Sequence, residues 1–175
     1  MKIRKLIALL ALALPTLAQT TIKEALAKHW KVSEEFTLKV ADAMPADSYD
    51  YRPVPAELSF GQLIGQVALA NAGSCAVASG MKAPATPAAV NASRTDPKAL
   101  DKTTALKYMK DTFEFCNTVV ASMTPAKLDA MVGPSGHQMT AFERLWAYFT
   151  HTAHHRGQAE VYLRMKGIVP PEYTF

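Results

Sequence analysis

The sequence predicts an all-α fold, a bundle of four helices in which the second and third run parallel. Four stretches repeat apolar residues at i, i+3 and i+4, the spacing of one helix face, and none alternates with the period of two that a strand needs. Proline and glycine punctuate the gaps between them. The segment 81–97, "MKAPATPAAVNASRTDP", is aperiodic and has the length a chain needs to cross a bundle instead of closing a tight hairpin.

The chain opens on "MKIRKLIALLALALPTLAQT", where Lys2, Arg4 and Lys5 precede an apolar run from Leu6 to Leu14, Pro15 and a small-residue exit ending at Ala18. That order reads as a secretory signal, residues 1–18, cleaved after Ala18. The run is shorter than the roughly 20 residues of a membrane span. Residues 19–175 are then a single exported domain, periplasmic or extracellular, without a stable membrane span. The signal holds three of the 19 basic residues and none of the 15 acidic ones, so sixteen against fifteen leaves the mature domain at +1. No Lys/Arg block remains to follow a phosphate backbone, which argues against nucleic acid as a partner.

The first helix is expected from Thr21 to Met44, with Ile22, Leu26, Trp30, Phe36, Val40 and Met44 near one stripe, and Pro45 stops it. In the loop that follows, Tyr49, Tyr51 and Arg52 either line a pocket mouth or cover one end of the core, with Arg52 paired to Asp47 or Asp50. Ser59 caps the second helix, which carries Leu63, Ile64, Val67, Ala70 and Ala76 and ends at Gly80. The third runs from Lys98 to Met123 through Leu106, Met109, Phe113, Cys116 and Val120, and Thr124-Pro125 ends it. "TAFE" starts the fourth as a capping box, Thr140 with Glu143, and that helix runs to Lys166, before Gly167 and Pro170-Pro171. In parallel second and third helices Cys75 and Cys116 lie at similar depth. That allows a bridge in an oxidising compartment and leaves open whether the side chains face each other.

Functional chemistry concentrates in "HTAHHRGQ". His151 and His155, four residues apart, share one helix face and can both reach one ion, whereas His154 points about 100° away from His155. The competing reading is a helix with histidines on its polar face, because two ligands do not complete a site. A zinc protease is excluded, since Thr152 stands where its glutamate base is needed, and neither cysteine belongs to a haem-attachment motif. Beside the pair, Gln158 is a candidate to hydrogen-bond a ligand or a group that supports the site from behind. Gly157 reads as a helix-packing glycine and Arg156 as a solvated cation. Trp30, in the apolar stripe, turns His29 aside, and His137 belongs to a solvated turn.

"HTAHHRGQAEVYLRMKGIVPP" resembles the C-terminal helix motif of the DinB/YfiT-like family, and "MPADSYDYRPVPAELSFGQLIGQVALANAGSCA" resembles that family's first-to-second helix region. The resemblance implies an up-down-down-up four-helix bundle, often dimeric, holding a divalent metal through three histidines, one on the second helix and the HxxxH pair on the fourth. Characterised members are thiol S-transferases or related metal-dependent enzymes. The pair carries over to His151 and His155. At the second-helix position this chain has Gln66, whose amide oxygen is a weaker and uncharged donor, so the implied zinc, nickel or similar ion is held less tightly. Two functions follow. One is a metal-dependent thiol transferase or hydrolase acting on a small molecule. The other is a bundle without that chemistry, binding a small molecule or a protein partner.

Overall fold

A computed structural model describes the backbone of residues 2–173 and the side chains of residues 22–173. The secretory segment expected at 1–18 lies outside the side chains so described. Among the described residues, no helix is long and apolar enough to cross a membrane.

On α1 (Lys2–Ala43), Leu26, Trp30, Phe36 and Val40 are buried, as their spacing predicts. Ile22, expected in the same stripe, stays 44% exposed. It lies level with the last turn of α4 (Lys102–Ser122), where the neighbouring Lys23 Nζ donates to the Ala121 carbonyl at 2.9 Å and α4 no longer covers it. After Pro45 the chain makes a single 3-10 turn, Ala46–Ser48. Tyr49 then enters the core, its hydroxyl donating to the Ala41 carbonyl at 2.7 Å and its ring lying edge-on to Phe60. Arg52 pairs with neither Asp47 nor Asp50; its guanidinium donates to the Pro55 carbonyl at 3.2 Å.

α2 (Phe60–Ser79) begins with a full capping box: Ser59 Oγ accepts from Gln62 N, and Gln62 Oε1 accepts from Ser59 N at 2.7 Å. Gly80, at φ 72°, closes it in the left-handed conformation that glycine adopts without strain. The crossing segment 81–97 contains one turn of helix, α3 (Ala88–Ala92), which buries Val90 against the core. Leu100 packs on α2 where that helix has no side chains. A Cβ on Gly61 would lie 3.0 Å from the Leu100 carbonyl oxygen, and one on Gly65 would lie 2.7 Å from Leu100 Cδ2. α4 starts later than the Lys98 expected for it, because the Asp101 side chain caps it by accepting from Thr104 N at 2.9 Å.

A short helix, α5 (Pro125–Asp129), leads into an antiparallel ladder of β1 (Met131–Val132) and β2 (Met139–Thr140). The sequence predicts no strand here, since two residues are too few to show alternation. The hairpin is made by its turn, with Gly133 at φ 104° and Gly136 at φ 82°. α6 (Ala141–Met165) follows with the predicted Thr140/Glu143 capping box, Thr140 N donating to Glu143 Oε2 at 2.8 Å.

The fold is all-α in its core, and the contacts between helix ends define how the long helices meet. The start of α4 meets the end of α1 through Lys102 and Asp42 (2.9 Å), and further along Asn117 Nδ2 donates to Glu34 Oε2 (2.7 Å). α2 joins α4 by a Cys75–Cys116 disulfide with Cα atoms 5.5 Å apart. The start of α2 meets the end of α6, where the Tyr162 hydroxyl donates to the Leu58 carbonyl at 3.1 Å, while Asn71 Nδ2 donates to Thr152 Oγ1 at 2.9 Å nearer the middle. α1 packs on α6 through Trp30 against Phe149 and through Arg156. Each long helix therefore buries two faces, and the core lies between them.

Candidate metal centre

On α6 the buried stripe runs Leu145, Thr152, Arg156, Ala159 and Leu163, at successive spacings of seven, four, three and four residues. His151 and His155 stand at the margin of that stripe, each half-buried. Being one turn apart, they meet with ring centroids 4.3 Å apart and Nε2 atoms 3.0 Å apart. The same turn of α6 is pinned to α2, because the Thr152 hydroxyl accepts from Asn71 and donates to the Tyr148 carbonyl at 2.9 Å.

Gln158 selects the tautomer of His155. Its Oε1 lies 2.7 Å from His155 Nδ1, and a carbonyl oxygen carries no proton, so Nδ1 donates. The neutral ring then presents a bare Nε2 to His151. The two Nε2 atoms share one hydrogen bond at 3.0 Å, and the Nδ1 of His151 is buried without a partner. Burial pushes the His151 pKa below its ordinary value, with His155 and then His154 adding to the shift.

This donor set fits a divalent ion as a two-nitrogen clamp. Two nitrogens about 2.1 Å from a tetrahedral ion lie about 3.4 Å apart, so the rings have to part by only a few tenths of an ångström from their 3.0 Å hydrogen-bonded spacing to hold one. His155 already has the outer hydrogen bond that orients metal-ligating histidines; His151 does not, since its Nδ1 faces no acceptor. Among the described residues no group of three or more His, Cys, Asp or Glu side chains could hold a metal. The third position is therefore not filled by a strong donor.

Gln66 is exposed on α2 and makes no hydrogen bond to either histidine. It lines a cavity of about 380 Å³ beside α3, with Leu58, Leu69, Val90 and Arg94, and neither histidine lines it. A second cavity, of about 300 Å³, is lined by Gln158, the partner of His155, together with Val54, Glu57, Val161 and Met165, and by neither histidine. His154 is exposed, its ring touching that of His155 at 5.0 Å between centroids, and His29 and His137 are exposed away from the pair.

Two neighbours differ from their sequence readings. Arg156 is 7% exposed instead of solvated; it donates to Ser33 Oγ (3.0 Å) and Thr37 Oγ1 (3.2 Å) and lies over the Phe36 ring. Its place in the buried stripe was visible in the spacing from Leu145 to Leu163, but Thr152 and Arg156 broke the apolar pattern. Gly157 is exposed, and a Cβ on it would meet nothing within 4 Å, so it is not a packing glycine.

A sequence profile of the DinB superfamily matches residues 15–159. No curated protein matches the sequence. Among solved structures, a DinB-like protein from Bacillus cereus is similar at TM-score 0.71 and 19% identity, over 86% of this chain and 97% of that one. A DinB-like protein from Bacillus subtilis is similar at 0.64 and 19%, over 85% and 96%. A mycothiol-dependent maleylpyruvate isomerase shares the fold at 0.60 and 14% identity, over 77% of this chain and 59% of that one.

Proposed function

Because the chain belongs to the DinB superfamily, we propose that it is an exported, metal-dependent enzyme of the thiol S-transferase or hydrolase type. In this reading His151 and His155 hold a divalent ion such as zinc or nickel. The observation that carries it is the convergence of the two Nε2 atoms at 3.0 Å, with Gln158 holding His155 in the tautomer a metal ligand requires. A divalent ion at such a place lowers the pKa of a bound thiol or water.

The chain's own residues supply position. Gln158 orients His155, Asn71 and Thr152 pin that turn of α6, and the cavity walled by Val54, Val161 and Met165 receives the apolar body of a small-molecule substrate. The third coordination place falls to water or to the Gln66 amide. Likeness to a thiol-dependent isomerase supports the thiol side of the reading. The helices are assigned to an up-down-down-up four-helix bundle with a long crossover from α2 to α4; the Lys102–Asp42, Cys75–Cys116 and Tyr162–Leu58 contacts support that order. Export is supported by the signal pattern and by a buried disulfide, a bond that persists in oxidising compartments.

The test is metal analysis of tag-free protein, with Zn²⁺ titration followed by melting temperature. Wild type gains melting temperature, His151→Ala and His155→Ala do not, and Gln66→His binds about 10–100-fold more tightly. A wild type that carries no stoichiometric metal and does not respond to excess Zn²⁺ or Ni²⁺ removes the reading. One observation favours a second reading, a non-catalytic small-molecule binder: Gln66 lines a cavity that neither histidine lines. Metal bound by Gln66→His alone is the outcome that selects it.

A further inference from the structure

The cavity beside α3 is lined by two polar side chains without a hydrogen-bond partner among the described residues. Arg94 and Gln66 both line it, both are exposed, and neither the guanidinium nor the amide is engaged by a side chain or carbonyl among the described residues. The remaining polar groups at the cavity are committed. Gln62 Nε2 donates to the Ser93 carbonyl, Gln62 Oε1 accepts from Ser59 N, and the Ser93 hydroxyl donates to the Val90 carbonyl. These bonds are buried, Ser93 being 3% exposed and Gln62 9%, and they anchor the backbone immediately before Arg94 to α2. The cation is thus carried on a fixed segment. Leu58, Leu69 and Val90 make the rest of the wall apolar, and about 380 Å³ falls within the range of small-molecule sites, about 300–1,000 Å³.

We propose that this cavity binds a small organic carboxylate. The planar guanidinium of Arg94 accommodates both carboxylate oxygens, the Gln66 amide donates a further bond, and the apolar body lies on Leu58, Leu69 and Val90. The assignment rests on the small-molecule reading of this cavity and does not need an ion at His151 and His155.

Calorimetry on the full chain, passed over a chelating resin, tests it with 3-phenylpropanoate, its uncharged analogue 3-phenylpropan-1-ol, and inorganic phosphate. The carboxylate binds at least tenfold more tightly than the alcohol or phosphate. Arg94→Gln reduces it to the level of the alcohol with an unchanged melting temperature, and Leu69→Trp, which fills the cavity, abolishes both. Absence of carboxylate binding, equal binding of the alcohol or phosphate, or full affinity in Arg94→Gln overturns the proposal. An alcohol that binds as well as the acid and is blocked by Leu69→Trp overturns it while leaving the small-molecule reading standing.

Discussion

Gly157 sits in the interior of α6 with open space where its side chain would be. Glycine there costs about 1 kcal/mol against alanine in helix propensity, so Gly157→Ala stabilises the protein by about that amount. Thermal unfolding checks this: the melting temperature rises by about 2–4 °C. A fall would show that something approaches this turn more closely than the fold requires. His151 sets a pH dependence at the same scale. Its pKa is lowered in the folded state, chiefly by burial. As pH falls below about 6.5 the unfolded chain takes up a proton that the folded ring refuses, so this contribution to stability, present at neutral pH, is lost towards pH 5. Melting temperatures of metal-free protein fall over that window, and His151→Phe flattens the fall. The capping carboxylates Asp101 and Glu143, whose pKa values are lowered by their bonds to Thr104 and Thr140, act only at still lower pH.

At the scale of elements, boundaries were legible wherever a side chain makes them. Thr140 with Glu143 marks the start of α6, and Gly80 and Gly167 mark helix ends, because capping chemistry is local in sequence. The "SFGQ" start of α2 carries the same signature, Ser59 with Gln62, beyond the serine cap that the sequence reading uses. Packing between elements was less legible. Gly61 looks like an ordinary helical glycine, yet its Cβ would press on the carbonyl oxygens of Leu100 and Tyr49 at 3.0 and 3.1 Å. Backbone cannot swing aside as a leucine tip can, so Gly61→Ala costs about 1–3 kcal/mol in denaturant unfolding and Gly65→Ala costs less. Equal effects would show that Leu100 does not hold the crossing segment as described. Arg156 shows the same limit in α6, since its hydroxyl partners Ser33 and Thr37 lie on another helix.

For the molecule as a whole, the Cys75–Cys116 bridge ties α2 to α4 across a sequence separation of 41. Closing a loop of that length restricts the unfolded chain by about 4 kcal/mol in the chain-entropy account. The double variant Cys75→Ala/Cys116→Ala therefore unfolds at markedly lower denaturant, by about 2–5 kcal/mol, and reductant lowers the wild-type midpoint in the same direction. A midpoint unmoved by either would mean that the bridge contributes nothing to the folded chain's advantage. The pairing was allowed by depth alone; that the sulfurs face each other depends on how two helices are rotated, which no spacing within one helix specifies.

By itself the sequence determined the helical class, the capped helix ends and the His151/His155 pair, because each depends on residues within about one turn of one another. Only the tertiary structure decided the disulfide, the burial of Arg156, the approach of Gln158 to His155, and the shared lining of one cavity by Gln66 and Arg94. Gln158 lies only three residues from His155, yet which atoms face each other depends on rotamers set by the surrounding packing. The others depend on the rotation and separation of helices that are distant in sequence, quantities that arise only when the faces pack together.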